Sequence, residues 1–528
     1  MRGTSASCGA AGFGLERRRG WTAGLGPVSS GRVRELKCNR SRADEFGSPT
    51  VKPTVKGGEQ MRAPYKISRR SLLQGSAGMA LAARVIGGEQ GDIRPVSAPV
   101  STPNLLIILA DDLGYGDLSS YGAGDLRSPN IDGLMAAGVR FDSFYANSPV
   151  CSPTRAALLS GRYPDRVGVP GVIRGDPANN WGYLSPRAVL IPEPLKAAGY
   201  HTALVGKWHL GLESPNTPRE RGFDFFHGFL DDMMDDYYDH RRYGRNYMRY
   251  NEDPIEPEGH ATDLFTEWAI DYLQARKADK RKFFLYLAYN APHIPIQPPA
   301  DWLEKVRKRE PGLGENRAKL VALIEHMDAG IGRVITALKK NGQFDNTLIV
   351  FASDNGGEPN AGATSGKLRG GKRDMYEGGI RVPMCAVWPG RIAPGSRSAA
   401  TGMTMDLLPT LCEAAGAASP RGLDGVSLLP VMRGQAQHSP ERDLIWVRRE
   451  GRMPYQGRDY YALRRANWKL VQNNPFEPYR LFNLGRDPRE EVDLAASEPE
   501  VCRELASALM RHIQAAGQTP WQRPDEDR

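Results

Sequence analysis

Cysteine is scarce in this chain. Six occur among 528 residues, none spaced closely enough for a zinc site, and they form no convincing disulfide framework. Cys8 and Cys38 fall in the N-terminal stretch, Cys385 and Cys412 in apolar surroundings typical of buried thiols, and Cys502 in a helical pattern. Long apolar runs are missing too: nothing approaches the roughly 20 uninterrupted residues of a membrane-spanning helix. Internal repeats are absent, which excludes a solenoid. Charge of one sign is also lacking once the leader is set aside. The net charge is +9, but residues 1–83 carry fifteen Lys/Arg against five Asp/Glu, so the remainder sits near −1. That balance gives no ground for nucleic-acid binding.

The basic leader has its own organisation. Residues 1–60 are rich in Gly, Ser and Arg without periodicity, which reads as a disordered extension or an over-extended gene start. Within 61–83, Met61 and Lys66 precede Ser68-Arg69-Arg70-Ser71-Leu72-Leu73-Gln74, a twin-arginine pattern. A weakly apolar stretch comes next, with Ala80-Leu81-Ala82 offering small residues for cleavage. The expectation is a twin-arginine signal peptide, a linker over 84–102, and a periplasmic or secreted bacterial destination reached through the twin-arginine export machinery.

The remaining residues, from 103 to 528, suffice for a large core and a smaller second domain. Asn104-Leu-Leu-Ile-Ile-Leu-Ala110 is apolar without alternation, as expected of a strand buried on both faces of a parallel sheet. Similar runs recur at 202–205, 283–288 and 347–352, with helical patterns between them, notably at 130–137 and 317–340. Alternating strands and helices predict an α/β sandwich over 103–438. Ligands of such sheets sit beyond the carboxyl ends of the strands. Asp111, Asp112, Lys207, His209, His293, Asp354 and Asn355 all fall there. From 439 to 528 the texture changes to short strands at 460–471 and 479–484 and a helix at 498–515, an α+β subdomain.

Two segments carry the most chemical information. In Cys151-Ser152-Pro153-Thr154-Arg155 a cysteine opens a helix whose first turn suits Pro153, and such a helix end favours an anionic group. Gly199-Tyr200-His201-Thr202-Ala203-Leu204-Val205-Gly206-Lys207-Trp208-His209 is a short strand delivering a lysine and a histidine at its end. Asp111-Asp112 and Asp354-Asn355 add three carboxylates and an amide oxygen, an oxygen-only set suited to Ca²⁺ or Mg²⁺ rather than zinc.

Together these segments resemble the two signatures and the opening metal motif of the type I, formylglycine-dependent sulfatases. Ser160-Gly161 stands where that family more often has Thr-Gly. The resemblance runs over most of the chain from Pro103. It implies an alkaline-phosphatase-like sandwich with a largely parallel central sheet flanked by helices, plus a smaller C-terminal domain with a short antiparallel sheet and a helix. The Asp-Asp-Leu-Gly-Tyr-Gly-Asp opening and Gly422-Leu423-Asp424-Gly425-Val426-Ser427-Leu428 are similar to the arylsulfatase and N-acetylgalactosamine-6-sulfatase types. A sulfated sugar or polysaccharide is the implied substrate, with aryl sulfates as artificial ones.

The resemblance also implies roles. Cys151 is converted to formylglycine by a formylglycine-generating enzyme, and the aldehyde hydrate attacks sulfur, holds the sulfate covalently and expels it as the aldehyde reforms. Asp111, Asp112, Asp354, Asn355 and position 151 hold one divalent cation, Ca²⁺ before Mg²⁺. Arg155 steadies the hydrate, Lys207 and Lys372 bind sulfate oxygens, and His209 assists proton loss. His293 contacts the sulfate, and either it or Lys372 protonates the leaving oxygen. His201, His227, His240, His260 and His326 read as structural or surface residues. The resemblance is poorest over 231–250, where mixed aromatic and basic residues suit stacking on sugars and pairing with sulfates. Two other readings stand beside sulfate hydrolysis: a phosphonate or phosphate ester hydrolase on the same scaffold, and a sulfated-glycan binding protein with an unconverted cysteine.

Overall fold

The computed structural model describes residues 102–176, 179–279, 281–450 and 458–524. The twin-arginine segment, the extension before it and nearly all of the linker lie outside the described residues.

Strand β1 (Asn104–Ala110) buries every residue, because both of its faces are covered by helices. Leu105, Ile107 and Leu109 point into one apolar layer and Leu106, Ile108 and Ala110 into the other. Around β1 the large sheet gathers β2 (Val139–Tyr145), β3 (His201–Lys207), β4 (Phe225–Phe229), β7 (Met248–Tyr250), β8 (Asp253–Pro254), β9 (Phe283–Ala288), β10 (Thr347–Ser353), β11 (Met384–Val387) and β12 (Ser396–Met403). Their order is β12-β2-β11-β10-β1-β9-β3-β4-β7-β8. The run β10-β1-β9-β3-β4 is parallel throughout. The exceptions are β11, antiparallel to both neighbours, and the edge hairpin β7–β8. A two-residue ladder of β5 (Arg241–Arg242) and β6 (Arg245–Asn246) stands apart from the sheet.

Helices cover both faces. The layer under α2 (Cys151–Ser160) also holds α3 (Pro192–Ala197), α8 (Leu407–Ala415) and α9 (Leu429–Met432). The opposite layer holds α1 (Pro129–Ala137), α4 (Ala261–Ala278), α5 (Ala300–Arg309) and α6 (Glu315–Lys340). The sandwich expected from the alternating pattern is therefore present, with a large, mostly parallel sheet. Among the described residues no helix is long and apolar enough to cross a membrane.

The last part of the chain builds a second, antiparallel sheet from β13 (Leu444–Glu450), β14 (Arg458–Arg465), β15 (Trp468–Gln472) and β16 (Arg480–Asn483), with α10 (Pro499–Ala516) packed on it. Its core also takes in Tyr145, Ala157, Met375 and Met403 from the first part. The two sheets thus share buried side chains. A short helix, α7 (Glu377–Ile380), lies at their junction.

Candidate active site

The site lies where the strand order predicts, at the carboxyl ends of β1, β3, β9 and β10. Helix α2 is buried along its whole length. It starts from extended Val150 and stops at Gly161, whose φ of 67° closes the C-terminus in the left-handed conformation. Cys151 is its first residue, and the thiol lies 3.3 Å from Asp111 Oδ1 and 4.0 Å from Asp112 Oδ1. Burial, then Asp111, pushes that thiol well above its usual range. It is not a standing thiolate. One turn on, Arg155 reaches back, but to the carboxylates: Nη2 and Nε donate to Asp354 Oδ2 at 2.8 and 3.1 Å. The same Nη2 lies 3.4 Å from Asp111 Oδ1.

Asp112 sits at φ 68°, a left-handed conformation rare outside glycine. The strain aims its backbone N–H at Asp354 Oδ1, 3.1 Å away. Asn355 donates to Asp112 Oδ1 at 2.7 Å, while its own Oδ1 is buried without a hydrogen-bond partner. Burial works against charge on Asp111, yet Lys207, His293 and Arg155 hold its carboxyl well below the usual range. Asp112 is lowered against burial by His293 and Lys372. Asp354 goes the other way: burial and then Asp111 push it up to about 7 despite Arg155. The three carboxylates face three side-chain cations, Arg155, Lys207 and Lys372.

Two lysines stand on the carboxylates. Lys207, fully buried at the end of β3, donates to Asp111 Oδ2 at 2.6 Å, and Lys372 donates to Asp112 Oδ2 at the same distance. Asp112 keeps the Lys372 ammonium charged against burial. His293 Nδ1 donates to the Ile294 carbonyl at 2.7 Å, so Nε2 is left as an acceptor, and Lys372 Nζ lies 2.9 Å from it. Burial holds His293 below its ordinary value, in keeping with a neutral ring. His209, also left-handed at φ 60°, donates Nε2–H to the Ile173 carbonyl at 3.0 Å, and its Nδ1 is buried without a partner. Burial, then Lys207 and Arg155, keeps this ring well below the usual histidine range. The side chains of Lys372 and His293 retain 10% and 8% exposure, against 0% for Lys207 and Arg155. The mouth of the site is therefore at the first pair.

All the residues expected from sequence converge here, with some changes of grouping. The ligand atoms within 4.8 Å of one another come from Asp111, Asp112, Cys151 and His293. Asp354 is engaged by Arg155, which clamps the carboxylates besides flanking position 151. Sequence reading missed Tyr237, whose hydroxyl donates to the Asn290 and His293 carbonyls at 2.8 and 2.9 Å and fixes the His293 loop. Its only signal was an aromatic residue in 231–250, a segment that also buries Met234 and Met248. The five histidines set aside in the sequence have other partners: His201 meets Tyr272 at 2.9 Å, His227 stacks on Trp268, His240 bonds the Gly259 carbonyl, His260 caps α4 and His326 pairs with Asp263.

A carboxylate cluster with two lysines thus stands at the strand ends of this sandwich. Comparison with known proteins gives the class. The Sulfatase family model matches residues 103–417, and the C-terminal model of N-sulphoglucosamine sulphohydrolase matches 370–517. N-acetylgalactosamine-6-sulfatase of Canis lupus familiaris is 32% identical, over 78% of this chain and 85% of its own length. Arylsulfatase A of Bos taurus is 34% identical, over 78% and 87%. The crystal structure of Ps i-CgsB in complex with k-i-k-neocarrahexaose superposes with a TM-score of 0.73 and 31% identity, covering 81% of this chain and 96% of that one. This chain belongs to the sulfatase family and is a sulfuric ester hydrolase.

Proposed function

We propose that this protein hydrolyses sulfate monoesters of a sulfated sugar or polysaccharide, with Cys151 matured to formylglycine. The observation that carries the reading is Cys151 at the mouth of α2, 3.3 Å from Asp111, beside Asp112, to which Lys372 and His293 attach. The named relatives favour sulfate over phosphonate or phosphate esters.

The donor set fits a hard divalent cation. Asp111, Asp112, Asp354 and Asn355 offer only oxygen, beside the Cys151 sulfur and a His293 nitrogen of the same cluster, and the orphaned Asn355 Oδ1 is a buried acceptor that a cation would satisfy. Asp111, Asp112, Asp354 and Asn355 would hold Ca²⁺ or Mg²⁺, which when bound polarises the nucleophile and offsets sulfate charge. Matured position 151 supplies an oxygen nucleophile that can also release the sulfate. The chain's own residues do the rest. Lys207 and Lys372 bind sulfate oxygens and stabilise charge gained as the ester bond breaks. His209, whose bond to Ile173 fixes its tautomer, takes a proton at Nδ1. The Lys372–His293 pair delivers one to the leaving oxygen, with Lys372 as the donor and His293 Nε2 as the acceptor that aligns it.

Maturation requires a formylglycine-generating enzyme, and the twin-arginine segment at 68–74 supports export to the periplasm or beyond. The test is mass spectrometry of the peptide spanning residue 151, with turnover of nitrophenyl sulfate against nitrophenyl phosphate. An aldehyde at 151, faster sulfate turnover and loss of activity in Cys151→Ala are the expected results. An unmodified thiol in fully active protein would overturn the reading.

A further inference from the structure

Beyond α10 the described chain runs on to residue 524 and packs against the first part of the molecule. His512, near the end of α10, lies 3.0 Å from Asp165 and sets its ring edge-on to Tyr163. Thr519 then donates its hydroxyl to the Arg166 carbonyl at 3.1 Å. Pro520 passes so close that a β-carbon on Gly168 would meet its carbonyl oxygen at 2.6 Å, and the Gly168 φ of 83° also favours glycine. Trp521 stacks on Trp181 with ring centroids 4.8 Å and planes 12° apart, and Arg523 pairs with Glu213 at 2.8 Å.

The last two anchors fall on two loops that meet at His209. Trp181 closes a backbone pairing: the Gly171 N–H donates to its carbonyl at 3.0 Å, and its own N–H donates to the Val172 carbonyl at 3.1 Å. Ile173 comes next, and both halves of its backbone serve the site. Its N–H donates to Ser152 Oγ, beside Cys151, at 3.0 Å, and its carbonyl accepts the His209 Nε2 proton at 3.0 Å. Glu213 lies on the loop that follows His209. Neither 168–176 nor 209–216 contains a helix or strand, so the place of the Ile173 carbonyl depends on what packs against these loops. A cavity of about 650 Å³ is lined by Ile173, Leu210 and Glu213 and also by Gln522 and Arg523. Side chains do not fill that space, and the tail spans it.

We propose that Trp521 is a positioning residue for His209. Its stack holds Trp181, and through Trp181 the Val172–Ile173 backbone, where the Ile173 carbonyl keeps the His209 proton on Nε2 and leaves Nδ1 a free acceptor. Trp521 itself touches no reacting atom; it acts through one hydrogen bond. The proposal rests on the sulfatase reading and extends it: a residue of the tail beyond α10 governs the rate of a reaction carried out at the strand ends.

The test compares matured Trp521→Ala and Trp521→Phe with the parent on nitrophenyl sulfate. Trp521→Ala is expected to lower kcat roughly tenfold or more with KM little changed, because a reacting group out of place costs rate rather than binding. Trp521→Phe, which can still stack on Trp181, should recover most of the rate. In a His209→Ala background, Trp521→Ala should cost almost nothing more, since the group it acts through is gone. Trp181→Leu breaks the stack from the other side and serves as the second variant should Trp521→Ala prove unstable; it is expected to act alike. The stack itself is read by the exciton couplet of two facing indoles in far-ultraviolet circular dichroism, present in the parent and lost in each of these variants. A parent without the couplet, undiminished kcat in Trp521→Ala and Trp181→Leu, or an equal loss with and without His209 would overturn the proposal. Failure of the underlying reading shows separately, as matured parent protein unable to hydrolyse nitrophenyl sulfate.

Discussion

Lys372 and His293 are bound to each other and to Asp112, and they are the reacting side chains with the most access to solvent. Substrate therefore meets them first. Replacing Lys372 by alanine removes a charged donor at the point where negative charge develops. A fall in kcat of roughly a hundred- to a thousandfold is expected, by the measure of a lost oxyanion donor, and steady-state kinetics on nitrophenyl sulfate checks it. The same residues predict the effect of chelation. Prolonged EDTA treatment followed by gel filtration should abolish turnover, and Ca²⁺ or Mg²⁺ should restore it. Asn355→Ala, which deletes the orphaned oxygen, should raise the cation concentration needed for half-recovery. Asp112 and Asn355 were legible in the sequence as polar residues just after an apolar strand, whereas Lys372, in a glycine-rich loop, was named only through the family resemblance. Tyr237 was not legible, because its partners lie more than fifty residues away at Asn290 and His293 and nothing local marks the pairing.

Helix α4 illustrates what one element adds. His260 accepts the Thr262 N–H at Nδ1 (3.2 Å) and donates Nε2–H to the Gln297 carbonyl at 2.9 Å, so it caps the helix as a neutral ring. Burial lowers its pKa to about 4. A depressed value means that protons bind the unfolded chain more readily. The stabilisation, on the order of 3 kcal/mol, is complete above the ordinary histidine value and is lost as the pH falls toward 4. Urea melts at pH 7 and pH 4.5 should show a smaller loss for His260→Gln than for the parent. Strand β15 makes the second case. Lys469 is wholly buried and lies 2.8 Å from both Glu377 and Glu490, while Tyr145 donates to Glu377 at 2.7 Å. Glu377 opens α7, whose Gly379 carbonyl accepts the Gly356 N–H, and the Lys372 N–H in turn bonds the Gly357 carbonyl. The triad thus anchors the loop that presents Lys372 beside Asn355. Lys469→Met leaves two buried carboxylates without their cation. It is expected to cost about 3–5 kcal/mol, read by chemical denaturation. In Trp468-Lys469-Leu470-Val471 the lysine looks like one solvent-facing residue of a short strand, so nothing in the local pattern betrays this anchor.

For the molecule as a whole, the alternating pattern was enough to foresee the sandwich, since unbroken apolar strands fit only a sheet covered on both sides. The antiparallel β11, threaded between β10 and β2, was not foreseen, because four apolar residues carry no direction. Nor was the shared core of the two sheets, in which Tyr145 stacks edge-on against Trp446 at 5.5 Å. The Trp446 indole also donates to the Ala146 carbonyl at 2.7 Å.

Every reacting side chain has been synthesised by residue 372, yet the lysine that secures their geometry emerges nearly a hundred residues later. A nascent chain halted before β15 would carry the whole catalytic vocabulary and still be mute. Competence arrives only when the far end of the polypeptide folds back to lock the near one.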